Sequence, residues 1–465
     1  MNLLLQIGNL IDKLGLVAYF SAEIITLLAV VLNILIYLFM KRKNNIGKIS
    51  DQITFGFFSL NFSCLLVVYL VKFFTKNNSF FTIGDLFVFN SDALFSRVLL
   101  NLFFVFFILI TYKLNRKARF KVPLVNINLL LLYLSSSFLV CANNTLIGFL
   151  LFEACVLLIY RYATDVRIRK QGIYSLNYIS INLISSVLFF VSYIVSFAIK
   201  DELQLSIIHV CISCAILLKT GLFPVYNYTI GKKYKNNIPW SILIYCLIPL
   251  LGISLFAGFL NEVNIRSEVY SITMVLFAIF LVVSFALNVL KTKNIVRFLA
   301  NSSLLFASFV ALSLLTLFDE TLVYYNYISA FVLLSIFSYI CILKINDKDI
   351  KINIPSIRGV FVKNRIFAFS FAISLLVLGC CFPTRFSYAS FEIVKMIYEF
   401  DKMGSYLAFV VFLGLLFVFL NAIRIIKAIY AFDNQKSYPK FKKGTIFNYL
   451  VPCVIILFLF VGLFL

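Results

Sequence analysis

The chain has 465 residues, of which 62% are hydrophobic, 17% aromatic and only 13% charged. A water-soluble globular chain carries roughly 45–50% apolar and about 25% charged residues, so a soluble enzyme built round a buried core is excluded. The formal charge of +22 does not mark a nucleic-acid surface, because the 41 Lys and Arg fall in short clusters between apolar stretches, as topology signals do.

At roughly 20 apolar residues per spanning helix, the chain has room for about fourteen spans with short loops. In chain order the apolar runs cover 16–40, 52–75, 95–112, 124–142, 145–162, 175–199, 203–228, 239–260, 269–290, 295–317, 321–343, 366–398, 405–427 and 446–465. They are near-continuous, not alternating, so they read as helices and not as barrel strands. The first is longer than the apolar core of a cleavable signal sequence. The expected fold is an all-α polytopic membrane protein with about 14 transmembrane helices.

The connections form two alternating sets. One is basic: Lys41-Arg42-Lys43, Lys113 through Lys121, Arg161 through Lys170, Lys232-Lys233-Lys235, Lys291 to Arg297, Lys344 to Arg365, and Arg424 to Lys443. The other is short and nearly neutral: Asn77-Asn78, Asn143-Asn144, Lys200-Asp201-Glu202, Asn261 to Glu268, Asp319-Glu320, and Glu399 to Met403. The basic set is expected to face the cytoplasm or a mitochondrial matrix, with both termini on the other side. The longest connector, 344–365, carries Pro355 and reads as a tether. No phosphate-binding glycine loop and no zinc spacing occurs. The cysteines behave as small hydrophobes, including Cys211 and Cys214, whose C-x-x-C spacing lies inside a predicted span.

Charged side chains at mid-bilayer cost about 2.5–3.5 kcal/mol on insertion scales, so each is a functional candidate. Glu153 lies mid-span in Leu151-Phe152-Glu153-Ala154-Cys155, where nothing on its own span can pair with it, so it must find a partner on another helix. Lys219 is followed by Thr220-Gly221-Leu222-Phe223-Pro224, a run that would break the seventh span and let water reach the lysine. Broken helices of this kind build ion sites in transporters. As a pair, Glu153 and Lys219 would be coupled titratable groups, which a proton relay needs. The bland alternative is a buried ion pair that only fixes packing. Arg385 and Glu392 are further candidates in the twelfth span, although Glu392 and Lys395 are three residues apart and could neutralise each other. His209, ten residues before Lys219, suits an outward half-channel or a packing role. Glu23 lies near an interface, where snorkelling or pairing would explain it.

Phe382-Pro383 in the twelfth span repeats Phe223-Pro224 in the seventh. An odd offset of five spans reverses orientation in the membrane, which suggests two inverted five-helix repeats with broken helices 7 and 12. The expected organisation is helices 1–3 over residues 1–123, a first repeat over 124–260, a second over 261–427, and a last helix within 428–465.

Three stretches resemble the antiporter-like membrane subunits of respiratory complex I, and subunit N in particular. Asn294-Ile295-Val296-Arg297-Phe298-Leu299-Ala300-Asn301-Ser302-Ser303 is similar to the signature opening helix ten, Leu218 to Pro224 to the lysine motif of broken helix seven, and Ala142-Asn143-Asn144 with Phe149 to Glu153 to the start of helix five. The resemblance implies a subunit of a proton-translocating NADH:quinone oxidoreductase. Glu153 would be its helix-five glutamate, Lys219 its helix-seven lysine, and Arg297 and Ser302 structural positions. It also implies that flavin, iron–sulfur clusters and quinone are held by partner subunits, with no cofactor and no metal on this chain. The partners would be the antiporter-like subunit M and small subunits K and J, in a bacterial inner or mitochondrial inner membrane, without nucleic acid. The family's helix-eight lysine aligns with Pro249 and its helix-twelve lysine with Ser390; Arg385 and Lys395 lie near enough to substitute. Related expectations are a subunit of a cation/proton antiporter or membrane hydrogenase complex, a lone fourteen-span transporter or flippase, and a structural membrane scaffold.

Overall fold

The computed structural model describes residues 20–39, 46–75, 81–83, 86–89, 91–115, 122–165, 172–199, 201–222, 242–263, 268–316, 354–359, 365–380, 385–399 and 404–431. Among these, ten helices are long and apolar enough to cross a membrane, so the chain is a multi-pass α-helical membrane protein. The elements are α1 (Ser21–Phe39), α2 (Ile46–Thr75), β1 (Phe81–Ile83), β2 (Phe87–Phe89), α3 (Ser91–Asn115), α4 (Val122–Val140), α5 (Thr145–Asp165), α6 (Gly172–Ser196) and α7 (Glu202–Lys219). A π-helical turn (Leu243–Leu247) then leads into α8 (Ile248–Val263). α9 (Glu268–Lys291), α10 (Ile295–Thr316), a 3₁₀ turn (Ile354–Ile357), α11 (Arg365–Leu378), α12 (Arg385–Tyr398) and α13 (Gly404–Tyr430) follow. Among the described residues the first ten expected spans and the thirteenth fall on helices, the seventh only as far as Lys219, and the twelfth appears as the separate α11 and α12. The eleventh span (321–343) and the last (446–465) lie outside the described residues.

The chain divides into two compact units, one of residues 1–186 with 254–264 and one of residues 187–253 with 265–465. In the first, α1 to α4 pack as a bundle. Helix association in lipid lacks the hydrophobic drive available in water, so packing and interhelical hydrogen bonds carry it. Polar residues accordingly line the inner faces. Towards the basic loops, Ser50 donates to Asn33 at 2.5 Å, Asn126 donates to Ser50 at 2.9 Å and to Asp51 at 3.0 Å, and Asn33 donates to Thr54 at 3.2 Å. Asp51 is buried and was not among the expected site residues; a carboxylate one position before an apolar run is easily taken for the solvated end of a span. At the opposite end Glu23 accepts hydrogen bonds from Arg97 and, at 2.5 Å, from Ser137. Pairing is therefore what holds Glu23.

The short neutral loop after α2 contains an antiparallel hairpin, β1 with β2, in which Phe81 faces Phe89 and Ile83 faces Phe87. Its free edge bonds to the α4–α5 turn: Val88 N–H donates to the Cys141 carbonyl at 2.9 Å and Asn143 N–H to the Leu86 carbonyl at 2.9 Å. Phe89 of this hairpin lies against the Arg97 guanidinium, 5.4 Å from the ring centre. Each strand has three residues, too few for an alternation to stand out among so many phenylalanines.

In the second unit α10 is buried along its whole membrane stretch and packs against α9, α12 and α13. Asn421 of α13 donates to the Val289 carbonyl at 2.5 Å, near the carbonyl-rich C-terminal end of α9. At the described turn of the 344–365 connector, Ile354 N–H donates to the Lys293 carbonyl at 3.0 Å and Ile357 is buried.

Removing one partner of a buried ion pair strands the other charge, at a cost of about 3–5 kcal/mol. Arg97→Ala is expected to lower the unfolding temperature of the detergent-solubilised protein sharply, while Arg97→Ala with Glu23→Gln recovers part of the loss. Thermal unfolding of the three variants beside the parent checks this.

Candidate functional site

α7 ends in the middle of an apolar run, and its last residue is Lys219. The ending is a Schellman motif. Leu222 N–H donates to the Leu217 carbonyl at 3.1 Å and Gly221 N–H to the Leu218 carbonyl at 3.1 Å, with Gly221 at φ +79°. That conformation costs glycine nothing and other residues about 1–2 kcal/mol. A lysine here complements the negative end of the helix dipole. Lys219 and Thr220 are both buried. α7 thus ends at Thr220-Gly221, where the break is expected, while Phe223, Pro224 and the rest of the seventh span lie outside the described residues.

Thr220 is held by a 2.6 Å bond from its hydroxyl to the Leu217 carbonyl. Gly252 of α8 faces it so closely that a methyl group there would overlap the Thr220 side chain and approach its Cβ at 2.9 Å. Before α8 the backbone widens into the π turn, and Pro249 follows. Proline has no N–H to give to the carbonyl four residues back, which is that of Tyr245. The Ser303 hydroxyl of α10 donates to that carbonyl instead. In the same signature, Asn294 caps α10, its side chain accepting from Arg297 N–H at 3.2 Å, and the Ser302 hydroxyl bonds the Leu299 carbonyl at 2.9 Å.

His209 is on the buried face of α7 with Ser206 and Ser213, and Ser213 is 2.7 Å from the Tyr270 hydroxyl of α9. Cys211 and Cys214 are both free thiols on α7.

Glu153 belongs to the first unit and Lys219 to the second. Glu153 is half-buried on α5 and accepts a hydrogen bond from Ser186 of α6. The same Ser186 hydroxyl lies 2.7 Å from the Asn182 carbonyl. With Glu153 ionised, one hydroxyl proton is shared between two acceptors. With Glu153 protonated, the carboxyl donates to Ser186 and Ser186 to Asn182. The geometry accommodates both states, as a proton-carrying group requires. The start of α5 is capped twice, by Asn144, which accepts from Leu146 N–H at 2.9 Å, and by Glu262, which accepts from Thr145 N–H at 2.8 Å.

Arg385 is the first residue of α12. The twelfth span is interrupted where Cys380 takes φ 57°, a left-handed value uncommon outside glycine. On α12, Glu392 is half-buried and lies one turn after the exposed Tyr388. Lys395 is exposed and lies 3.8 Å from Glu399, one turn on, so among the described residues its ion-pair partner is Glu399, although the spacing also allowed Glu392. Ser390 is buried. Among the described residues no group of three or more His, Cys, Asp or Glu could hold a metal.

No family model matches the chain, and no curated protein is detectably similar in sequence. Solved structures are similar in fold. A chain of respiratory complex I from Thermus thermophilus with bound aureothin superposes with a TM-score of 0.73 at 16% identity, covering 95% of this chain and 97% of that one. A chain of the Mrp complex from Dietzia sp. DQ12-45-1b gives 0.74 at 12% identity, over 91% of this chain and 84% of that one. A chain of the membrane-bound sulfane sulfur reductase, an archaeal respiratory membrane complex, gives 0.77 at 13% identity, over 96% and 93%.

Gly252→Ala is expected to push Thr220 out of position and disturb the end of α7. Labelling of a cysteine placed at Leu222, buried in the parent, should become faster in that background, whereas Gly258→Ala, with open space around it, leaves the rate unchanged. The fold is that of chains from three multi-subunit membrane complexes.

Proposed function

We propose that the chain is an antiporter-like membrane subunit of a multi-subunit complex and takes part in moving protons across the membrane, with NADH:quinone oxidoreductase as the complex. The observation that carries this reading is the buried Lys219 at the end of a helix that stops inside an apolar run. Such an end places a titratable group where the helix gives way to irregular backbone, the arrangement from which transporters build ion sites. Glu153, with its two hydrogen-bonding arrangements at Ser186, is the second proton-carrying group. Arg385, Glu392 and His209 are lesser candidates. Flavin, iron–sulfur clusters and quinone would belong to partner subunits, and the partners would be further membrane subunits of the M, K and J kinds. The basic loops would face the cytoplasm of a bacterium or the matrix of a mitochondrion.

A second reading, a subunit of a cation/proton antiporter complex, is favoured by the equal fold similarity to the Dietzia Mrp chain. Affinity purification from native membranes with mass spectrometry of the bound chains separates the two. Recovery with flavin and iron–sulfur subunits supports the oxidoreductase, and recovery with antiporter chains alone supports the other. A solitary chain sinks both. Within the assembled complex, Glu153→Gln and Lys219→Ala are each expected to slow proton translocation in sealed vesicles by an order of magnitude or more, the scale of a lost acid–base group. Ser186→Ala should weaken it less.

A further inference from the structure

The α1–α4 bundle contains a polar layer that neither Glu153 nor Lys219 touches. Its upper part is the Glu23–Arg97 pair with Ser137, whose hydroxyl donates to Glu23 at 2.5 Å and accepts from Arg97 Nε at 3.2 Å. One helical turn further in, Asn61 donates to the Thr26 hydroxyl at 3.1 Å and Asn101 donates to the Tyr133 hydroxyl at 3.1 Å. Thr26 gives its own proton to the Ala22 carbonyl, so it can only accept from Asn61. That fixes the Asn61 amide with its oxygen turned away.

Aromatic rings close the layer on both sides. Above it Phe89 of the hairpin lies over Arg97 and meets Phe20 edge-on at 5.1 Å. Below it Phe58 stacks on Phe104 at 5.6 Å, and both meet the Tyr133 ring edge-on at 5.4 and 5.6 Å.

Inside this layer three acceptor oxygens have no hydrogen-bond partner among the described residues: Glu23 Oε2, Asn61 Oδ1 and Asn101 Oδ1. The neighbouring Ser96 hydroxyl is in the same position. All four residues are buried, Glu23 at 3% exposure and Asn61 and Asn101 at 0%. Each unmatched buried polar atom costs about 1–3 kcal/mol, while immobilising a water costs about 0–2 kcal/mol. These acceptors, with the Ser96 hydroxyl and beside the Arg97 Nη1 donor, call for a ligand that can both donate and accept. Arg97 already balances the charge of Glu23, so a cation would add an uncompensated charge and a neutral donor fits better.

We propose that this layer is an internal water-binding site in which ordered waters join Glu23 Oε2 to Asn61 Oδ1 and Asn101 Oδ1 between the two aromatic layers. The site gives the bundle a hydrated acid separate from the groups assigned under the proposed function, and it stands whether or not that reading does.

Radiolytic hydroxyl-radical footprinting of the protein in its native complex tests this, because bound water generates radicals that mark adjacent side chains. Phe58, Phe104 and Tyr133 are expected to be modified several-fold faster than Phe149 and Phe152, which are equally buried in the same unit. Equal rates in the two groups overturn the proposal, and that comparison needs no variant. Asn61→Leu with Asn101→Leu removes two acceptors and fills their space. In that variant the Tyr133 rate should fall to that of Phe152, and an unchanged rate counts against the site. A Tyr133 rate suppressed by added sodium or ammonium would show a cation in place of water and overturn the neutral ligand.

Discussion

Hydrocarbon offers no water to complete a hydrogen bond, so the polar groups that this chain takes into the membrane must be matched by other parts of the chain or by water held inside it. That requirement accounts for much of the local geometry. It brings Arg97 of α3 to Glu23 of α1, gathers Asn33, Ser50 and Asn126 where three helix ends meet, and places the Ser303 hydroxyl on the Tyr245 carbonyl. The same rule explains how α7 can end inside an apolar run. Its Schellman ending consumes carbonyls that would otherwise be left bare, and the residues that follow can then leave the helical path. A site of this kind is a controlled exception to the rule that surrounds it.

The ends of α7 in the seventh span and of α11 in the twelfth reach a similar result by different means. In the seventh, Gly221 adopts the left-handed turn, and Gly252 permits α8 to lie against it. In the twelfth, Cys380 takes the left-handed value and Gly379 supplies the close approach, since a methyl there would sit 3.1 Å from the Phe419 backbone of α13. The lysine beside the first break is buried, whereas the second is followed by Arg385 at the start of an amphipathic α12 with Lys395 exposed. The two breaks are therefore alike in backbone and unlike in chemistry.

Much of this was legible in the amino-acid order. Apolar runs of membrane length located most of the described helices within a few residues, and Thr220-Gly221 after Lys219 announced the end of α7. Longer-range matching was not legible. Arg97 and Glu23 are 74 positions apart, each close enough to a span end to pass for a snorkelling residue, and only a buried position for one would have raised the question for the other. The turn between Ile242 and Ile248 looks helical in composition, and nothing in Leu243–Leu247 signals a π turn. Lys395 has carboxylates both three residues before and four residues after it, so spacing alone left its choice of Glu399 open. The role of Ser186 beside Glu153 was equally hidden, because a serine on an apolar helix bonds as readily to its own backbone.

The contact between Ser303 and the Tyr245 carbonyl ties the histories of two distant positions. With Pro249 in place, that carbonyl lacks the N–H of residue 249, and loss of the serine hydroxyl would remove a further donor. With an ordinary residue at 249, the carbonyl gains that N–H and the hydroxyl matters less. A lineage could therefore shed the proline first and the serine afterwards at less penalty than in the reverse order. The evolutionary route open at one position is set by the occupant of the other, an epistasis that follows from one missing N–H.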